Sequence, residues 1–252
     1  MRVCTYNIHA GTDVNKNPSL PQIIASLREL NADVVLLQEV DHFLPRSRFT
    51  HQARRVARVL GMQYAFYGRF GFGPFRFGNA VLFKKQPNRG AFKTRLPATG
   101  GEPRCAVGIW LPEPGIQWSP GWAFWKWGRN HTPGMIFYSV HLGLRNEWRM
   151  TQLAELADWK NSGFPILVGG DFNAEIDAPE IRKYLEDTDF SVYSGEQLTF
   201  PVPHPTHRID FLFGSGFHKT GGGCIIAPGS DHCLVWADLE ISDKHQRSTV
   251  KR

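Results

Sequence analysis

The sequence predicts an α/β (α+β) fold built as a four-layer sandwich: two mixed β-sheets packed face to face, with helices on the outside. Three observations carry that expectation. Short apolar runs of strand length, among them Val34-Val35-Leu36-Leu37 and Ile166-Leu167-Val168, alternate with amphipathic stretches. Between residues 64 and 111, strand-like runs follow one another without helices between them, a mixture that suits two packed sheets. A chain of 252 residues, 42% hydrophobic and 21% charged, has the material for a sizeable core.

The elements follow in order. Residues 2–6 form a first strand ending at Asn7-Ile8-His9. Residues 19–30 form a helix, with Ser19 as N-cap and Ile23, Ile24, Leu27 and Leu30 at helical spacing. The run 34–37 is a buried strand ending at Gln38-Glu39. Residues 51–60 form a second helix, with Arg54, Arg55 and Arg58 on one face and Val56, Ala57 and Leu60 on another. Residues 79–83, 105–110 and 136–140 read as strands, the last delivering His141. A helix over 145–159 precedes the strand 164–168, after which Gly169-Gly170 suggests a sharp turn into Asp171-Phe172-Asn173. A short helix near 178–185, a strand over 208–213 and a final strand over 233–241 complete the pattern. No repeat at fixed spacing and no linker-like composition shift divides the chain. The expectation is therefore one domain over 1–242, followed by a polar, disordered tail over 243–252.

Polar residues collect just after the apolar runs: Asn7, Glu39, His141, Asp171 with Asn173, Asp210, and Asp231 with His232. Each has an ordinary structural explanation. Asn7 can cap a turn, Glu39 can pair with an arginine, His141 can be a satisfied core histidine and Asp171 can close an Asx turn. Six such positions together point to metal-assisted phosphoryl hydrolysis. Mg²⁺ prefers oxygen ligands and keeps several waters, which suits carboxylates and amides drawn from separate strands. Zn²⁺ would recruit more His or Cys. A carboxylate is needed to orient or deprotonate water, imidazoles stabilise charge on the phosphoryl group, and a second carboxylate fixes a histidine tautomer.

Seven segments occur here in a familiar order: Thr5-Tyr6-Asn7-Ile8-His9, Leu37-Gln38-Glu39-Val40-Asp41, Gly78-Asn79-Ala80, Val140-His141-Leu142-Gly143-Leu144, Gly170-Asp171-Phe172-Asn173-Ala174, Arg208-Ile209-Asp210 and Ser230-Asp231-His232. In these the chain resembles the endonuclease/exonuclease/phosphatase superfamily, over nearly its whole length. That superfamily includes pancreatic-type deoxyribonucleases, exonuclease III-like repair nucleases, neutral sphingomyelinases and inositol polyphosphate 5-phosphatases, and the compact bacterial members look closest. The resemblance implies Mg²⁺ as cofactor, with Mn²⁺ as an alternative, held principally by Glu39 with Asn7, and with Asp231 beside the metal. It implies that Asp171 activates water, that Asn173 holds that water or the phosphate, and that His141 and His232 contact the phosphate, His232 oriented by Asp210. Asn79 would line the cleft. One departure stands out: repair nucleases often carry an acid two residues after the first asparagine, where this chain has His9.

The formal charge is +6 and the pI near 9.3, which favours anionic partners. Residues 41–104 hold thirteen Lys or Arg against two acids, a local +11 that leaves −5 for the rest. Nucleic acid is accordingly the first-guess substrate, as a phosphodiester, with Arg69, Arg76 and Arg104 as substrate-binding residues. A sphingomyelinase-like phospholipid phosphodiesterase, an inositol phosphate phosphatase and a catalytically silent binding module are the alternatives. The segment 68–78, with its glycines, four phenylalanines and two arginines, reads as a mobile loop that stacks bases, inserts into lipid or packs on the domain. Trp110, Trp118, Trp122, Trp125 and Trp127 lie in a proline-interrupted stretch. Its 118–127 portion is a candidate peripheral membrane contact. Cys4, Cys105, Cys224 and Cys233 show no C-x-x-C spacing, and free thiols suit a reducing compartment. With no signal-peptide pattern, a cytoplasmic location is expected, and no obligate protein partner is evident.

Overall fold

A computed structural model describes residues 1–84, 90–97, 101–113 and 133–242. The tail 243–252 and the tryptophan-rich stretch 118–127 lie outside the described residues. The chain forms two six-stranded mixed sheets. The first contains β1 (Arg2–Asn7), β2 (Val34–His42), β3 (Gln63–Phe72), β4 (Phe75–Phe83), β11 (Phe217–Ile225) and β12 (Leu234–Ile241), in the order β11-β12-β1-β2-β4-β3. The second contains β5 (Ala91–Arg95), β6 (Cys105–Pro112), β7 (Gly134–His141), β8 (Ile166–Asp171), β9 (Ser191–Val192) and β10 (Asp210–Ser215), in the order β5-β6-β7-β8-β10-β9.

The apolar runs are continuous because both sheet faces are buried. Val34 and Leu36 face the other sheet, in a cluster with Ile109, Phe137, Leu167 and Leu212. Val35 and Leu37 face outward, onto α1 (Leu20–Leu30) and α2 (Gln52–Leu60). On the far side, α3 (Asn146–Ala157) and α4 (Pro179–Thr188) cover Val140, Val168, Phe211 and Phe213. The four layers are thus helix, sheet, sheet, helix.

The sheets repeat one topology. β1, α1 and β2 form a parallel strand–helix–strand unit, and β7, α3 and β8 form another. Each unit is flanked on one side by an antiparallel strand that follows it (β4 or β10) and on the other by a further antiparallel strand (β12 or β6). The two units therefore present their strand ends together, although no sequence repeat announces it.

Several boundaries differ from expectation for identifiable reasons. Ser19 does precede α1, but its hydroxyl donates to Gly229 O at 2.6 Å instead of capping the helix. The helix expected over 145–159 ends at Ala157 and tightens into a 3₁₀ turn over Asp158–Ser162. Gly169 and Gly170 do not turn the chain; both lie inside β8. They are needed for close approach. A Cβ on Gly170 would lie 1.9 Å from Val140 O, and one on Gly169 would lie 2.6 Å from Leu36 Cδ1 and Leu212 Cδ2 between the sheets. The segment 68–78 is the end of the β3–β4 hairpin, not a mobile loop. Gly78 is required there because its Cβ would lie 2.2 Å from Tyr67 O. β11 had no periodic signal: its Gly221-Gly222-Gly223 run is held in strand form by pairing with β12.

Candidate active site

The site is assembled where strand ends of both sheets converge. In the second sheet, register sets His141 opposite Asp171 and Asp171 opposite Asp210, so three adjacent strands contribute one polar side chain each. His141 Nε2 lies 3.4 Å from Asp171 Oδ2. His232, in the turn entering β12 of the first sheet, reaches the same place. Its Nδ1 lies 2.9 and 3.1 Å from the two oxygens of Asp210, and its Nε2 3.7 Å from Asp171 Oδ2. Asn7, ending β1, donates its Nδ2 to Asp171 Oδ2 at 3.0 Å and to Glu39 Oε1 at 3.3 Å.

Glu39 owes its position to a β-bulge. Pairing of β2 with β4 breaks register between Leu37 and Val40, and Glu39 takes φ +55°. The extra residue takes the side chain out of the regular alternation and aims it into the cleft, a use of bulges common beside active sites. Asn173 is similarly placed at φ +50°. Its backbone N–H donates to Asp171 Oδ1 at 2.9 Å, so the Asx turn exists alongside the polar cluster and fixes its carboxylate.

Burial shapes the electrostatics. It favours the neutral form of Asp171, and with Asp210 nearby the carboxyl is raised to about 7 despite the pull of His232. Burial opposes charge on His232 too, but Asp210 and Asp171 overcome it and lift the imidazole to about 10. Burial, then Arg104 and His232, push His141 well below its ordinary value. Arg104 Nη1 donates toward His141 Nδ1 at 3.2 Å, which leaves the proton of neutral His141 on Nε2, facing Asp171.

The adjoining cleft is lined by Glu39, Phe77, Asn79, Glu102, Arg104 and His141, among others. Arg104 pairs with Glu102 at 3.2 Å. Asn79 lines the cleft wall and donates its Nδ2 to Cys105 O at 2.8 Å. Glu102 escaped sequence reasoning because Gly101-Glu102-Pro103-Arg104 has no periodic context; its closeness to Arg104 was the available signal. Gln38 was also missed. Buried at the strand end, it donates to Ser139 Oγ at 2.9 Å and accepts from Thr5 Oγ1 at 3.2 Å, tying the two sheets together beneath the site.

The other expected residues fall as follows. Asp231 lies beside the cluster, its Oδ1 3.5 Å from His9 Nδ1, so His9 partners that acid at the rim. Asn173 gives its Nδ2 to Leu142 O at 3.0 Å, bracing the loop after His141. Arg69 occupies a second bulge, between Gly68 and Phe70, and its Nε is buried without a hydrogen-bond partner. Arg76, expected to bind substrate, donates its guanidinium to Gly73 O and Gly71 O within its own hairpin.

A divalent cation fits this donor set. Glu39 is half-buried, and its carboxylate's hydrogen-bond partner among the described residues is the Asn7 amide. Glu102 faces the same cleft, its carboxyl raised by burial and by Glu39, though Arg104 opposes this. Oxygen donors grouped in this way suit a hard cation. Asp171, Asp210 and His232 also lie within 4.8 Å of one another. There the His232 Nδ1 proton is already held by Asp210, so that trio is better suited to moving or holding a proton than to caging an ion.

Two helix-covered sheets thus bring carboxylates, amides and imidazoles together at their strand ends. The chain belongs to the Endonuclease/Exonuclease/phosphatase family, whose model matches residues 4–232. It is 28% identical over 225 residues to protein YbhP of Escherichia coli K12, covering 84% of this chain and 83% of that one. An endonuclease/exonuclease/phosphatase from Beutenbergia cavernae superposes with TM-score 0.74 at 20% identity, over 96% of this chain and 72% of that one. The mannosyl-6-phosphatase Bt3783 of Bacteroides thetaiotaomicron superposes with TM-score 0.75 at 16% identity, over 96% and 100% of the two chains. Members of this family hydrolyse phosphoester bonds and are typically dependent on a divalent metal.

Proposed function

We propose that this chain is a divalent-metal-dependent phosphodiesterase acting by in-line attack of water. The observation that carries the reading is the hydrogen-bonded line Asp210–His232, with Asp171 between His232 and His141 and Asn7 bridging Asp171 to Glu39. Asp171 takes the proton of the attacking water. His232, held by Asp210, presents its Nε2 to a non-bridging phosphate oxygen and stabilises the charge that grows there. His141 does the same from the other side with its Nε2–H, its orientation set by Arg104 at Nδ1. Glu39 and Asn7 would hold Mg²⁺ or Mn²⁺, with Asp231 close by. The ion would neutralise phosphoryl charge and help the alcohol leave. Asn79 and Arg104, which line the cleft, would face the rest of the substrate, with Arg69 as a further cation on β3.

Nucleic acid is supported as substrate by the +11 stretch over residues 41–104. Several of its cations are already engaged, however: Arg46 with Asp41, Arg76 with its own hairpin and Lys84 with Asp33. A phospholipid phosphodiester is the second reading, favoured by the exposed aromatic hairpin.

The test is turnover of bis(p-nitrophenyl) phosphate by the purified chain. EDTA should abolish it and Mg²⁺ restore it, and Glu39→Gln should need at least about tenfold more Mg²⁺. Turnover indifferent to chelation would refute the reading.

A further inference from the structure

The β3–β4 hairpin ends in Phe70-Gly71-Phe72-Gly73-Pro74-Phe75, six residues without a polar side chain. Phe72 is 86% exposed, Phe70 50% and Phe75 39%. Phe49, 59% exposed, joins them from the turn after β2, its ring edge-on to Phe75 at 6.3 Å. Four large rings thus stand open to solvent at one end of the molecule, a contiguous apolar patch of a kind that marks an interaction surface.

Two further features say what covers it. First, the backbone at the tip has partners of its own: Arg76 donates to Gly71 O and Gly73 O, and His42 Nδ1 contacts Pro74 O. Entry into an apolar medium therefore strands few carbonyls. Second, cations adjoin the rings. Arg48 is next to Phe49 and Arg46 stacks over Phe77 at 4.6 Å, while α2, whose cap His51 packs on Tyr64 and Phe66 of β3, exposes Arg54, Arg55 and Arg58. Of the acids near Arg46, Asp41 is paired with it, and Glu39 and Glu102 face the cleft. An apolar tip backed by arginines matches an anionic bilayer, with hydrocarbon meeting the rings and headgroups meeting the cations. A nucleic acid strand would need free cations among the rings, and between Arg69 and Arg76 there are none.

We propose that the β3–β4 tip, together with Phe49, docks the protein on anionic phospholipid membranes. The rings of Phe70, Phe72 and Phe75 enter the interface and the neighbouring arginines sit at headgroup level. β4 runs from Phe75 to the cleft wall at Phe77, Gly78 and Asn79. Three residues of strand cover about 10 Å, so the docked cleft opens close to the headgroups. This rests on the phosphodiesterase reading only in naming a lipid headgroup as a substrate class; docking itself needs no turnover.

The test is cosedimentation with vesicles in EDTA, where catalysis plays no part. Vesicles of mixed phosphatidylcholine and phosphatidylserine should bind the chain, and pure phosphatidylcholine should bind it less. Phe72→Ser should weaken binding about tenfold, as loss of one partly buried aromatic ring implies. Its melting temperature should be unchanged, because the side chain is already in water. Phe92→Ser, an exposed aromatic on β5 of the other sheet, should bind as the native chain does. Absence of vesicle binding, or unchanged binding by Phe72→Ser, overturns the proposal. So does a Phe72→Ser defect confined to single-stranded oligonucleotide. Metal-dependent turnover of the soluble diester would survive any of these results, so the two readings fail separately.

Discussion

Asp210→Asn preserves the size of a side chain and removes one charge. Asp210 is 1% exposed, and both its oxygens lie on His232 Nδ1, at 2.9 and 3.1 Å. It is the chief group holding the imidazole protonated, at about 10, against the cost of burial. An amide in its place offers at best a neutral acceptor and at worst an N–H facing an N–H. Positioned acid–base groups contribute about 10²- to 10⁴-fold to rate, so kcat should fall by that factor, equivalent to about 3–5 kcal/mol of barrier. KM should change little, because Asp210 sits behind His232 and does not line the cleft. The alkaline limb of the pH profile should also move to lower pH, since the variant's imidazolium loses its proton sooner. Steady-state turnover of bis(p-nitrophenyl) phosphate across pH, with a melting curve to establish folding, measures all three. A folded variant with the native kcat would refute the reasoning.

Two further outcomes are expected. Gly170→Ala places a Cβ 1.9 Å from a backbone oxygen of the neighbouring strand, where no side-chain motion can relieve it. It should cost about 3 kcal/mol or more and lower Tm by about 10 °C, read by calorimetry or circular dichroism. His51 caps α2 by accepting from Arg54 N, and burial, with His42 and Arg54, lowers it to about 4. A depressed histidine stabilises the fold above its unfolded value near 6.5, and that contribution is lost as pH falls from 6.5 toward 4. The drop corresponds to about 3 kcal/mol, reduced to about 1–2 by solvent screening at this half-buried position. His51→Asn keeps a capping group and should flatten the denaturation midpoint over that pH interval.

The strand ends were readable in the sequence because polar residues sit where apolar runs stop or start. Asn7, His141 and Asp171 close such runs and His232 precedes the last one, and the structure brings all four together. What escaped reading depends on partners distant in the chain. The bulge that turns Glu39 into the cleft exists only in register with β4, and the Gln38–Ser139 bond only once the two sheets face each other. Glycines misled for the same reason. Those at 68–78 suggest a mobile loop, whereas Gly71 and Gly78 admit the backbone of the partner strand, which the local sequence does not reveal. Gly169 and Gly170 read as a turn and proved to be strand residues that admit Leu36, Leu212 and the Val140 carbonyl.

The decisive comparison is between the native chain and Asp171→Asn, each supplied with Mg²⁺ and bis(p-nitrophenyl) phosphate. Asp171 touches Asn7 and lies between His141 and His232. The expected result is metal-dependent release of p-nitrophenol by the native chain and a rate at least about 100-fold lower in the folded variant. Equal rates in the two would contradict the assignment of the reaction to this cluster.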